Sequence, residues 1–100
     1  MIKHVLFFNL KEQAEGQSKA ENLAKIKSMI EALNGKIPGL IRIEIGADYS
    51  ATEASADMIL YSEFESREAL AVYADHPDHL VAKTFIQSVC SARQLVDYEV

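Results

Sequence analysis

The chain is poor in basic residues and in long apolar segments, and each shortage excludes a class of protein. Ten of its 100 residues are Lys or Arg against 15 Asp or Glu, so the formal net charge is −5. No basic cluster is present that could neutralise the phosphates of a nucleic acid. No apolar run approaches the ~20 residues that a membrane-spanning helix needs. We therefore expect neither nucleic acid nor a membrane among its partners.

Cysteine is nearly absent as well. The single Cys90 excludes an internal disulfide and fits a reducing compartment. It has no CxxC partner, so we interpret it as a small core residue rather than a nucleophile. The first residues lack a small-residue cleavage site and are typical of a strand, not of a signal peptide. The length of 100 residues predicts one domain that spans residues 1–100, with 49% hydrophobic residues for its core. The single cysteine predicts a cytoplasmic location.

The sequence also lacks Trp and any flavin or haem motif, so nothing in it specifies a cofactor, and we predict none. A metal site has little support. His76, Asp78 and His79 are close in the chain, but the two histidines lie on either side of a predicted helix start and need not share a face. Because a zinc site needs three or four converging ligands, we predict no metal.

Hydrophobic periodicity predicts four strands and three helices. The strands are predicted at residues 2–10, 40–45, 56–64 and 93–99. A polar loop is expected from Lys11 to Gly16. One helix should run from a Ser18 cap to about Asn34, a second should follow a Ser66 cap, and a third should run from His79 to about Ser88.

The apolar spacing also predicts which side chains face the core. On the first strand, even-numbered residues from Ile2 to Leu10 should share one face, with His4, Leu6 and Phe8 among them. On the second strand we expect Ile41, Ile43 and Ile45 to be buried. On the third helix we expect a buried stripe of Val81, Phe85 and Val89.

The predicted order, β-α-β-β-α-β with the second helix broken at Pro77, is that of the ferredoxin-like α+β plait. Its antiparallel sheet carries helices on one face only, yet Val5 and Phe7 would lie on the other. Burying one such side chain fully contributes roughly 1.5–3 kcal/mol, and a bare face of them would be adhesive. We therefore predict a homodimer that packs sheet to sheet.

The segment Tyr73-Ala74-Asp75-His76-Pro77-Asp78-His79 concentrates proton-transfer chemistry. It holds two of the three histidines and a tyrosine within seven residues. Pro77 should end one helix at His76 and begin the next. His79 then lies in the first turn of that helix, where the dipole disfavours added positive charge. A neutral His79 could act as a general base.

Six segments together resemble the stress-responsive dimeric α/β-barrel family, often called Dabb. They are Ile2-Lys3-His4-Val5, Ile37-Pro38-Gly39-Leu40, Phe64-Glu65-Ser66, Ala69-Leu70 with Tyr73, His76-Pro77-Asp78-His79, and Val96-Asp97-Tyr98. The resemblance covers nearly the whole chain. It implies a ferredoxin-like fold that dimerises into an α+β barrel, with a pocket between helices and sheet in each subunit.

The resemblance also implies roles for particular residues. Where this family has an attributed activity, it is cofactor-free aldol-type cyclisation of a linear polyketide by a Tyr and a His, which correspond to Tyr73 and His79. His4 corresponds to a pocket histidine, and Leu6 and Phe8 to pocket walls. Ala82-Lys83 departs from the cyclase type, which has an aromatic residue and a glycine there. The same substrate is therefore not expected.

Each candidate has a structural alternative. His79 could bond only to backbone or to Asp75, Tyr73 could be a half-buried aromatic, and His4 could be a satisfied core group. His76 could bind substrate or simply cap a helix, and the cap is favoured.

Two classes of function stay open, with a cofactor-free monooxygenase as a third. One is a small enzyme acting on a hydrophobic or aromatic molecule. The other is a non-catalytic dimer that binds a ligand or a protein. An open cavity where Tyr73, His79 and His4 meet would favour an enzyme or a ligand-binding protein.

Overall fold

A four-stranded antiparallel sheet with helices on one face forms the fold of the computed structural model, which describes residues 1–100. The main strands are β1 (Ile2–Leu10), β4 (Leu40–Ala47), β5 (Met58–Phe64) and β6 (Cys90–Glu99), in the order β4-β5-β1-β6. The helices are α1 (Lys19–Glu31), α2 (Arg67–Asp75) and α3 (Pro77–Val89). The predicted ferredoxin-like class is confirmed. None of these helices is long and apolar enough to cross a bilayer.

Strand β1 occupies the centre of the sheet and has the predicted bounds. It pairs antiparallel with β5 and with β6. Ile2, Phe8 and Leu10 are buried in the core under the helices. On the opposite face, Val5 is buried by its neighbours and Phe7 keeps 42% of its surface exposed.

The predicted loop from Lys11 to Gly16 instead contains a small hairpin. Its strands, β2 (Gln13–Ala14) and β3 (Gln17–Ser18), pair antiparallel. The chain turns through Glu15 (φ 52°) and Gly16 (φ 74°), the pair of positive φ angles that favours tight hairpins. Two-residue strands are too short to produce a readable period, so periodicity misses them.

Helix α1 begins as predicted and ends early. Ser18 caps it, and a reciprocal bond with Glu21 completes a capping box. The helix stops at Glu31, not near Asn34, and the N–H groups of Leu33 and Asn34 donate to carbonyls three residues back instead of four. The Asn34 side chain bonds to the edge strand. Its amide donates to the Ile43 carbonyl at 2.8 Å and its oxygen accepts the Ile43 N–H at 2.9 Å.

The burial predicted for Ile41 was wrong. Ile41 is 48% exposed, while Ile43 and Ile45 are buried as expected. The pairing of β4 with β5 shifts register between Leu40 and Arg42, so Ile41 is an extra residue at this irregularity. Such a residue leaves the alternation of its strand, and Leu40 contacts the core instead.

The buried stripe predicted for α3 was also partly wrong. Val81 is 65% exposed, and the buried positions are Ala82, Ile86 and Val89. Both sets fit a helical period, so spacing alone could not choose between them. Ala82 is small, which lets the helix pack closely there. Phe85 lies at the margin, with the Lys25 ammonium 4.3 Å from its ring centre.

Candidate functional site

A cleft of about 550 Å³ lies between the inner face of β1 and β6 and the helices α2 and α3. Of the 17 residues that line it, 11 are hydrophobic, and Leu6 and Phe8 are among them as expected. This volume is within the ~300–1,000 Å³ of ordinary small-molecule pockets. The cleft is therefore large enough, and apolar enough, for a small hydrophobic molecule.

The junction between α2 and α3 sets the orientation of the histidine-rich segment. His76 ends α2 and also caps α3, with extended backbone angles (φ −67°, ψ 133°). Pro77 follows at the start of α3. The His76 ring accepts the Asp78 N–H at its Nδ1, 3.1 Å away. His76 does not line the cleft, so we assign it to the helix junction rather than to the substrate.

His79 lies in the first turn of α3 and lines the cleft. Its Nδ1 is 3.1 Å from the Ala74 carbonyl oxygen. Because a carbonyl only accepts, Nδ1 must carry the hydrogen, and neutral His79 has its lone pair on Nε2. Burial lowers the pKa of His79, and the positive charge of Lys83 adds to this effect. The bond to Ala74 raises the pKa of His79, but burial outweighs it, and the net lowering favours the neutral imidazole that a general base requires.

Tyr73 stacks against His79 with ring centres 4.1 Å apart and planes at 36°. Only 1% of its surface is exposed, and its hydroxyl makes no hydrogen bond within the chain. Burial raises the pKa of Tyr73 well above that of an ordinary phenol. The hydroxyl therefore stays protonated and has a hydrogen that no group of the chain accepts.

His4 approaches the same pair from β1. Its ring centre is 6.1 Å from that of Tyr73, in an edge-to-face arrangement. His4 Nδ1 is 2.5 Å from Oδ1 of Asp97, which lies opposite it in the β1–β6 register. The carboxylate accepts the Nδ1 hydrogen and so orients the ring. The three predicted residues His79, Tyr73 and His4 are thus brought together.

Several residues around the cleft were not identified as site residues from the sequence. Asp97 is on the face of His4 because the β1–β6 register pairs the two residues. Lys83 follows His79 by one helical turn, and Arg93 lies opposite Phe8 on β6. Cys90 lines the cleft too, but burial raises the pKa of its thiol to about 11, so it is not a thiolate.

No three His, Cys, Asp or Glu side chains lie close enough together to hold a metal ion. The groups that converge here are two imidazoles, a phenol and one carboxylate. Such a set can take up, donate and share protons over an apolar floor. It can therefore carry acid–base chemistry through its own side chains.

Comparisons with known proteins agree with the fold and extend it. The sequence model of the stress-responsive A/B barrel domain family matches residues 2–100. A stress-response A/B barrel domain-containing protein of Arabidopsis thaliana is 32% identical over 98% of this chain. The chain spans only 36% of the length of that relative.

Solved structures of other proteins match the fold over nearly the whole chain. A dimeric ferredoxin-like protein of unknown function from Bacteroides fragilis is 32% identical, with a TM-score of 0.87 over 99% of this chain and 95% of the other. A hydroxynitrile lyase from Passiflora edulis has a TM-score of 0.79 over 97% of this chain and 90% of the other, at 20% identity.

Proposed function

This chain belongs to the stress-responsive A/B barrel domain family, and we propose that it binds a small hydrophobic or aromatic molecule in its cleft and transforms it by proton transfer. No cofactor is needed for this chemistry. The proposal depends on one observation above all. His79, Tyr73 and His4 meet at an open apolar cleft. The ring centre of Tyr73 is 4.1 Å from that of His79 and 6.1 Å from that of His4.

The proposed reaction begins with a substrate whose C–H bond lies next to a carbonyl. His79 Nε2 removes that proton, and the electron pair of the broken bond moves onto the carbonyl oxygen. Tyr73 donates a hydrogen bond to this oxygen as its charge develops. The bound enolate carbon can then attack a second carbonyl of the same molecule, and the oxygen of that carbonyl takes up the proton that His79 removed. His4, Leu6 and Phe8 hold the substrate against these two groups.

The burial of the site supports these roles. A general base must be unprotonated before it acts, and burial moves the pKa of His79 down from 6.5, which favours the neutral imidazole. The Tyr73 hydroxyl has no competing partner in the chain, so a substrate oxygen would satisfy it. The lyase from Passiflora edulis is too distant in sequence to support more than the fold.

A carbon-acid probe tests the proposal without knowledge of the natural substrate. Benzoylacetone carries an acidic C–H between two carbonyls, and its exchange with deuterium can be followed by NMR. We expect the protein to accelerate this exchange. His79→Ala should reduce the acceleration by about 10²- to 10⁴-fold, the usual contribution of a general base.

A matched histidine variant separates chemistry from folding. His76→Asn removes an imidazole outside the cleft but keeps a residue that caps helices well, so it should leave the exchange rate unchanged. An equal loss in both variants would contradict the role of His79. If the probe binds but does not exchange faster, the alternative function, a non-catalytic ligand-binding module, is correct. If it does not bind, a protein-interaction module is favoured.

We also propose that the protein is a homodimer that packs through the bare face of its sheet. Phe7, Val96 and Tyr98 share this face and are 42%, 53% and 45% exposed. The Bacteroides fragilis relative, at 32% identity, is described as dimeric. The cytoplasmic location stays a prediction from the single cysteine.

The edge of β4 supports this choice of face. Asn34 satisfies both backbone groups of Ile43, while Glu31 accepts the N–H of Ile45 and Lys27 donates to its carbonyl. A second chain cannot add a strand where these groups are already bonded. The β4 edge is therefore closed to a second copy, and the bare face stays available.

A further inference from the structure

The permanently charged residues that line the cleft are opposite in sign to the net charge of the chain, and the one carboxylate beside it, Asp97, is bonded to His4. The chain carries 15 acidic residues and a net charge of −5. Yet the 17 residues that line the cleft include no Asp or Glu. Its two permanently charged residues are Lys83 and Arg93. Both permanently charged lining residues are therefore basic, in a chain whose charged residues are mostly acidic.

Neither cation is used by the fold. Seven of the ten Lys and Arg side chains contact a carboxylate, a carbonyl or an aromatic ring, and they are Lys3, Lys11, Lys19, Lys25, Lys27, Arg42 and Arg67. The remaining three (10 − 7) are Lys36, Lys83 and Arg93. Two of these three line the cleft, where their hydrogen-bond donors are free for a ligand.

The two cations come from different walls of the cleft. Lys83 is four residues after His79 on α3, so the two side chains share a helix face. Arg93 is paired with Phe8 in the β1–β6 register, so it projects to the helix side of the sheet. A ligand between helix and sheet would have an ammonium on one side and a guanidinium on the other. Both donate to oxyanions, and the guanidinium can do so with two parallel bonds.

We propose that Lys83 and Arg93 make the cleft specific for apolar molecules that carry an oxyanion, a carboxylate or a phosphate. This inference rests on the proposed function, since it names the class of molecule that enters the same cleft. The anionic head lies between the two cations and the apolar body lies against Leu6 and Phe8. Lys83 and Arg93 are specificity residues, and the chemistry stays with His79 and Tyr73.

Three probes of matched shape test this specificity by titration calorimetry. They are 2-naphthoate, 2-naphthyl phosphate and the neutral 2-naphthamide. We expect the carboxylate to bind about tenfold more tightly than the amide, as charge-assisted hydrogen bonds are stronger than neutral ones. Lys83→Met and Arg93→Met should each reduce that preference several-fold, because the carboxylate loses a charge-assisted hydrogen bond and the amide only a weaker one. Lys36→Met removes the same charge away from the cleft and should alter neither affinity.

A salt titration tests the same specificity on the unmodified protein. Since salt screens charges, the preference for the carboxylate should shrink when the ionic strength rises from about 0.05 to about 0.5 M. A phosphate preferred over the carboxylate would identify the head group as a phosphate and support the proposal.

Equal binding of acid and amide, or a preference insensitive to salt, would overturn the proposed specificity. In that case binding of the amide would leave the proposed function standing. If none of the three probes binds, the ligand-binding function fails and the specificity fails with it.

Discussion

The two faces of the central sheet are built from alternate residues of the same strands, yet they differ in what they leave open. The inner face of β1 presents His4 between apolar residues, and helices close over it except at the cleft. The outer face presents Lys3, Val5 and Phe7, and nothing covers it. One face encloses a space for a small molecule, and the other offers a broad surface of the kind that fits another protein.

Polar groups are also treated differently on the two faces. On the inner face, His4 is held by Asp97, and the Tyr73 hydroxyl is buried without a partner. On the outer face, cations lie over a half-buried aromatic ring. The Lys3 ammonium is 5.8 Å from the centre of the Tyr61 ring, and the Arg42 guanidinium is 5.0 Å from it. The inner face leaves a donor for a ligand, and the outer face has already paired its charges.

The largest effect is expected from a charge on the outer face. Val96→Asp should convert a dimer of about twice the 11.1 kDa chain mass into a monomer, because it would bury a carboxylate between two sheets. Light scattering at micromolar concentration measures the change. Val81→Asp, an identical substitution on an exposed helix face, should leave the mass unchanged. A dimer that survives Val96→Asp would show that the outer face is not the interface.

On the inner face, Tyr73→Phe should raise stability and lower activity at the same time. The lost hydroxyl is buried without a hydrogen bond, so its removal should stabilise the fold by about 1 kcal/mol. The same change removes the proposed donor to the substrate oxygen, and exchange of benzoylacetone should slow by about tenfold. Thermal unfolding and NMR exchange measure the two effects.

Tyr61→Phe is the matched control on the outer face. The Tyr61 hydroxyl donates to Glu63 at 2.6 Å, so its loss should lower stability slightly and leave exchange unchanged. If Tyr73→Phe destabilised the fold as Tyr61→Phe does, the Tyr73 hydroxyl would have a structural role rather than a functional one.

The sequence predicted a segment correctly where only one set of apolar residues fitted the spacing of its strand or helix. The alternation in β1 allows a single register, so its bounds and both its faces were predicted correctly. The apolar residues of α3 allow two adjacent stripes, and the choice of Val81 was wrong. At Ile41 an irregularity in strand pairing interrupted the alternation. The errors at Ile41 and Val81 both arise from tertiary packing, which the spacing of apolar residues along one segment does not reveal.

The candidate site shows the same limit. Tyr73 and His79 are close in the chain, and one proline fixes the break between their helices, so their proximity could be predicted. His4 was added through the family resemblance. Asp97 and Arg93 reach the site only because β6 pairs with β1 in one particular register. That register is set by the whole sheet, and no motif near either residue encodes it.

The smallest expected effect is a dependence of stability on pH that arises from His79, at the cleft on the inner face. Burial lowers the pKa of His79 below its usual 6.5, and the charge of Lys83 lowers it further. As pH falls below 6.5, the unfolded chain therefore binds the proton before the folded chain does, and the free energy of unfolding decreases. This loss is complete once the pH is below the folded-state pKa of His79.

The window for this measurement lies between pH 6.5 and about 4.5. The carboxyls of Glu21, Glu31 and Asp48, whose pKa values are lowered by hydrogen bonds, cost stability only below their ordinary values of 4.5 and 3.8. Denaturant unfolding across the window should show stability falling with pH in the unmodified protein. His79→Gln, which cannot titrate, should flatten that slope, and Lys83→Met should reduce it in part because the neighbouring charge is gone. A slope unaltered in His79→Gln would show that burial does not hold this imidazole neutral, and the base proposed for the cleft would lose its support.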